Sequence, residues 1–103
     1  MAKLQLTASP TFKCNVLIPV PGKKPVPVEF SFKGRTKDEF KTFIETLGDR
    51  EDADVILDIA SGWELEDAFG KESVELLLQN YIGAARVIIE KYIAELTSAR
   101  LGN

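Results

Sequence analysis

The chain has 103 residues, with 13 basic and 16 acidic groups, a formal charge of −3 and no histidine. Without imidazole there is no His-based catalytic dyad or triad, no His-ligated zinc and no proton switch near neutrality, and the single Cys14 leaves no intramolecular disulfide and no multi-cysteine metal site. The acidic balance argues against sequence-independent nucleic-acid binding, and no run approaches the roughly 20 apolar residues of a membrane span.

An apolar content of 45% with 28% charged residues fits one globular domain over residues 1–103. The N-terminus carries no apolar signal-peptide core, so the chain is expected in the cytoplasm of the cell that makes it. Residues 1–11 carry little pattern and read as a loose arm or an edge strand.

A period of two then sets in over residues 12–33. Phe12, Cys14, Val16, Ile18 and Val20 alternate with Lys13, Asn15, Leu17 and Pro19, and Val26, Val28, Phe30 and Phe32 alternate with Pro27, Glu29, Ser31 and Lys33. Side chains alternate across a strand, so each segment has one apolar face. Between them, Pro19, Pro21, Pro25 and Pro27 bracket Gly22, Lys23 and Lys24. Proline fixes φ and removes a ladder donor, so this is a stiff turn with edge-like flanks. The pattern predicts a β-hairpin, which must pack on the rest of the chain because an isolated hairpin is marginal in water.

After Pro27 there is no proline and the period becomes helical, with the helical part expected over residues 36–99. Thr36-Lys-Asp-Glu39 has the form of a capping box, followed by a stripe of Phe40, Phe43, Ile44 and Leu47 and a left-handed cap at Gly48. A second helix is predicted from Glu51 to Ala60, with Val55, Ile56, Ile59 and Ala60 inward and Gly62 ending it. Trp63 to Phe69 reads as a short connector with room for one helical turn. A third helix spans Lys71 to Gln79 with Val74, Leu77 and Leu78 inward. A fourth spans Gly83 to Ala99, with Ile82, Ala85, Ile89, Tyr92, Ile93 and Leu96 as its buried stripe, before a frayed end at Leu101–Asn103. The expected class is α+β: a hairpin followed by about four helices that pack on one another and on one hairpin face.

The charge is polarised along the chain. Up to residue 41 it is +5, from eight basic and three acidic residues, and thereafter it is −8. Residues 49–67 hold eight acids and only Arg50 in opposition. Solvated helix faces and caps account for most such runs. A chain with a basic and an acidic end can also associate head to tail as a homo-oligomer or steer a partner.

Catalysis by these acids would need two carboxylates across a cleft with separated pKa values, which linear spacing does not indicate. Asp52, Asp54 and Asp58 lack the central Gly and closing Glu of a calcium loop, and Val55, Ile56 and Leu57 fill the middle as in a helix. Cys14 has no His to activate it and falls on the apolar strand face, as a buried structural thiol would. Pro21-Gly22-Lys23-Lys24 lacks the second Gly and following Ser or Thr of a phosphate loop, so the lysines read as a solvated hairpin tip. The expectation is therefore no enzyme, no cofactor and no metal. What remains is Ser61-Gly-Trp63-Glu-Leu65-Glu-Asp-Ala-Phe69, where large apolar side chains alternate with acids. Trp63 and Phe69 can plug the helical core, and Trp63, Leu65 and Phe69 can form the anchor rim of a partner-binding site. The two readings are compatible.

Several blocks together resemble a known family. They are Arg50-Glu-Asp-Ala-Asp-Val-Ile-Leu-Asp-Ile-Ala-Ser-Gly-Trp63, Glu64-Leu-Glu-Asp-Ala-Phe69, Leu78-Gln-Asn-Tyr81, Gly83-Ala-Ala-Arg86 and Ala99-Arg100-Leu-Gly-Asn103, preceded by Ile18-Pro-Val-Pro-Gly22 and Pro25-Val-Pro-Val28-Glu-Phe30. Over about residues 12–103 the chain resembles the phage tail assembly chaperones, small proteins of tailed phages and prophages. It departs from the family pattern at Ile82, where a proline is expected after the tyrosine. The resemblance implies a non-enzymatic protein of the infected host's cytoplasm. It implies binding to the helical tape measure protein, recruitment of tail tube protein, and departure before the tail is complete, and the charge and hydropathy read above add the expectation of no nucleic-acid or membrane partner. Similar systems often make a longer product by ribosomal frameshifting. The alternative is a structural minor tail or connector protein of the virion.

Overall fold

The alternating segments form the predicted hairpin. The computed structural model describes residues 4–97. Strand β1 (Thr11–Ile18) pairs antiparallel with β2 (Val26–Lys33), placing Phe12 opposite Phe32, Cys14 opposite Phe30 and Val16 opposite Val28. These residues share the inner face, while Lys13, Asn15 and Leu17 face solvent. At the tip, the Lys23 amide donates to the Val20 carbonyl at 3.0 Å across Pro21 and Gly22, and Gly22 has φ +75°. Proline at the second position and a positive-φ glycine at the third are what a type II turn requires. Behind the tip, Pro19 lies so close to the turn before the last helix that a Cβ at Gly83 would stand 3.2 Å from its Cγ.

Helix α1 (Lys37–Thr46) begins at the predicted capping box. The Glu39 amide donates to Thr36 Oγ1 at 3.2 Å, and the Thr36 amide donates to Glu39 Oε1 at 2.8 Å. Phe43 is buried, with Phe40 and Leu47 half-buried beside it, but Ile44 turns out to solvent, contrary to expectation. The expected left-handed cap at Gly48 is also absent. The chain instead tightens into a 3-10 turn, Leu47–Asp49, whose i+3 hydrogen bonds occupy the free carbonyls without a positive φ.

Helix α2 (Asp52–Ile59) buries Val55, Ile56 and Ile59 as predicted, then runs directly into a third strand, β3 (Ala60–Trp63). This corrects the reading of Ala60 as helical and of Trp63 as the start of the connector, which runs over residues 64–69, bent over 64–67 and with no helical turn. Four residues are too few to show a period, and Gly62 signals an interruption without specifying the structure around it. β3 pairs antiparallel with β2 on the side away from β1, giving a three-stranded sheet in the order β1-β2-β3. Phe30 faces Trp63, Ser31 faces Gly62 and Phe32 faces Ala60, which leaves Ser61 as the extra residue of a bulge.

Helix α3 (Lys71–Asn80) buries Val74 and half-buries Leu77 and Leu78. Its first turn is held by Ser73, whose Oγ accepts from the Gly70 amide at 3.1 Å and donates to the Ala68 carbonyl at 2.6 Å. Helix α4 (Ala84–Thr97) packs on α2 and β1. Its most buried residues are Ala84, Ala85, Ile88 and Tyr92, with Ile89, Ile93 and Leu96 half-buried beside them. Ile82 does not join that stripe: it lies in the turn before α4 and is 91% exposed. The expected helical end near Ala99, the frayed end and the first three residues of the arm lie outside the described residues. The observed class is the predicted α+β, with the third strand added.

The core is organised around Tyr92, whose side chain is fully buried. Its ring packs against Phe32 at 5.3 Å and edge-on against Phe43 at 5.7 Å. Its hydroxyl donates to the Lys33 carbonyl at 2.8 Å and accepts from Arg35 Nε at 2.9 Å. Arg35 continues to Asp58 Oδ2 at 2.8 Å, and Arg50 reaches the same oxygen at 3.0 Å. Both guanidinium groups lie over the Phe43 ring, at 4.8 and 5.5 Å from its centre. One polar chain therefore joins α4, the end of β2, α2 and the segment after α1.

Partial burial opposes ionisation of Asp58, but hydrogen bonds from Arg50 and Arg35 outweigh it and hold the carboxyl below its ordinary value. A depressed folded-state pKa adds stability that is complete above the ordinary carboxylate range and is lost as pH falls through it. Resistance of the wild type to urea should thus weaken between about pH 5 and pH 2, and Asp58→Asn, less stable at neutrality, should show a flatter acid profile. Tyr92→Phe keeps the ring but leaves the Lys33 carbonyl without its donor. A loss of about 1–3 kcal/mol in the same titration is expected, and an unchanged midpoint would show that the Tyr92 hydroxyl adds no stability.

Candidate functional site

The bulge at Ser61 decides where Trp63 points. Ala60 and Trp63 are three residues apart, so a regular strand would put them on opposite faces. The extra residue restores the same face: Ala60 is buried opposite Phe32, and Trp63 sits opposite Phe30 on the core side. The indole then packs edge-on to Phe30, with centroids 5.9 Å apart, and to Phe69 at 5.1 Å. Its Nε1 donates to the Asp67 carbonyl at 2.7 Å, which curls residues 64–67 back over the ring as a series of bends.

Both readings of the aromatic segment thus have a structural counterpart. Trp63 is half-buried against the core, and its outer side joins Leu65, Asp67, Leu76, Leu77 and Tyr81 in lining an open groove of about 400 Å³. Leu65 is 39% exposed at the edge of that groove. Phe69 does not line it; its ring stands against the indole and supports it. Of the three residues singled out from sequence, two meet at the groove and the third holds one of them in place.

Sequence reasoning does not single out Leu76 as part of the site. It is 60% exposed and lines the groove from α3. A signal is present in Leu76-Leu77-Leu78, because three consecutive helical residues spread over roughly 200° and cannot all face one core. Leu76 also lines a second, larger groove of about 1110 Å³ between the start of α2 and α3. There the surroundings are carboxylates, Glu51, Asp52 and Asp54 on one side and Glu72 and Glu75 on the other, with exposed Ile82 at the margin. Two cations border this groove, Arg50 and Lys71, and Arg50 is bound to Asp58.

Among the described residues, no group of three or more His, Cys, Asp or Glu could hold a metal ion. Cys14 is half-buried on the inner sheet face, packed against the core rather than opening into either groove. Among the described residues, no helix is long and apolar enough to cross a membrane. The chemistry available is an apolar and aromatic surface beside an acidic one, both on elements tied into the core.

Comparison with curated proteins gives no match. Comparison with solved structures gives none either. The family model described as phage tail assembly chaperone matches residues 1–103, the whole chain. The match agrees with the resemblance carried by the Gly62-Trp63 block and its neighbours, and the chain therefore belongs to the phage tail assembly chaperone family.

Proposed function

We propose that this protein binds the tape measure protein of its phage during tail assembly, keeps it from aggregating and helps recruit tail tube subunits, without catalysing a reaction. The observation that carries the reading is the groove where Trp63 and Leu65 meet Leu76, on a chain of a tail assembly family. A long helical partner exposes apolar stripes, and a preformed groove with an aromatic wall and an exposed leucine can cover part of one at low ordering cost. The acidic surface around it keeps such a complex in solution. On this reading the host cytoplasm is where the protein acts, and the finished tail does not retain it.

Co-expression with the tape measure protein is the direct test. The tape measure should remain in the supernatant and co-purify with the wild-type chain, and an insoluble tape measure with no complex would overturn the reading. Purified particles should lack the protein, whereas a stoichiometric band would make it a virion component. Trp63→Ala should reduce capture at least tenfold. Because Trp63 also packs on Phe30, Leu65→Asp provides the second variant: it changes an exposed side chain and should reduce capture while urea unfolding stays cooperative.

A further inference from the structure

The two grooves beside α3 share Leu76 but differ in chemistry. On one side of it stand Trp63, Leu65 and Tyr81. On the other stand Asp52, Asp54, Glu72 and Glu75. An exposed leucine between an aromatic wall and an acidic wall is a two-sided template. We infer that this surface receives a helix whose apolar stripe is bordered on one side by lysine or arginine, with Leu76 at the centre of the contact. The inference rests on the chaperone reading and deepens it by assigning the partner segment's chemistry and its orientation.

The charges decide the occupant. An acidic or neutral helix on α3 would bring no counter-charge to the five carboxylates that face the groove. Among the described residues lining it, Lys71 is the one cation not tied to Asp58. A basic flank would be steered to the carboxylates from a distance and favoured in one orientation, because five carboxylates line the acidic groove and, among the described residues, Asp67 is the single carboxylate lining the aromatic one. Leu76 and Ile82, at 60% and 91% exposure, supply apolar area that such a stripe can cover. Trp63 and Leu65 contribute contact area, and the carboxylates contribute specificity and speed of encounter.

The experiment uses the full chain co-expressed with the tape measure protein of the same phage, and measures the amount retained on the immobilised chain as sodium chloride is raised. The expected results are release of the wild-type complex by salt and at least tenfold lower retention by Glu72→Lys/Glu75→Lys. A control reversal at exposed positions outside both grooves and not adjacent in sequence to their lining residues, Glu45→Lys/Glu90→Lys, should stay within about twofold of wild type. Leu76→Asp should also lose retention while keeping the wild-type circular dichroism spectrum. If the wild type retains the tape measure and Glu72→Lys/Glu75→Lys retains it equally, the inference is overturned and the chaperone reading stands. If the wild type retains none, the chaperone reading falls and the inference falls with it. Sedimentation covers the remaining occupant: a wild-type dimer that Glu72→Lys/Glu75→Lys makes monomeric would place a second copy in the groove and overturn the inference.

Discussion

A tyrosine hydroxyl cannot be buried in a helix–sheet interface unless its proton and its lone pairs find partners, and Tyr92 obtains both from one stretch of chain. The Lys33 carbonyl takes the proton and Arg35 supplies the donor. This fixes the exit of β2 beneath α4, and it also sets where the Arg35 guanidinium lies. The charge so placed near the core is matched by Asp58 on α2, which in turn holds Arg50. Partly buried charges of this kind stabilise only when their geometry is complete, because a missing partner leaves a desolvated ion. The apolar packing of Phe32, Phe43, Val55, Ile56 and Ile88 supplies the bulk of the driving force. The polar chain selects among the ways these elements could otherwise stack.

The same arrangement divides what is legible in the sequence from what is not. The hairpin, the capping box at Thr36 and the approximate span of each helix are legible because they rest on local rules: alternation, a cap, a stripe. The inner face of β2 is legible for the same reason. β3 is not, because its four residues come directly after a helix without a turn and its pairing with β2 is a contact across thirty residues of chain. The partnership of Arg35, Asp58 and Tyr92 is hidden by the same distance, since a residue's charge does not reveal which partner it meets. Ile82 falls outside the α4 stripe because the turn Tyr81–Gly83 continues the apolar pattern without being part of the helix.

The candidate site is half legible. Trp63 and Leu65 stand out by composition alone, as large apolar residues among acids. Leu76 stands out only once the inward face of its helix is seen to be filled by Val74, Leu77 and Leu78, which leaves it facing outward. The structure ties these residues to the rigid part of the molecule: Trp63 through the sheet, Leu76 through α3, and the carboxylates of α2 through the element that carries Asp58. A binding surface built on strands and helices needs little ordering when a partner arrives, which suits the proposed role.

The bulge at Ser61 makes strand register, rather than side-chain identity, the variable that matters most in this corner. Whether one of the residues between the end of α2 and the indole is looped out of the ladder acts as a parity bit. With Ser61 looped out, Ala60 and Trp63 share the core face, and if the same four residues paired as a regular strand the indole would swing to the opposite side of the sheet and leave Phe30 and Phe69 without their partner. The bends of residues 64–67 are anchored at both ends, by the Glu64 amide donating to the Glu29 carbonyl at 2.9 Å and by the indole donating to the Asp67 carbonyl. Register in the short strand is therefore what keeps the indole on Phe30, and the anchored loop is what keeps Leu65 at the groove beside it.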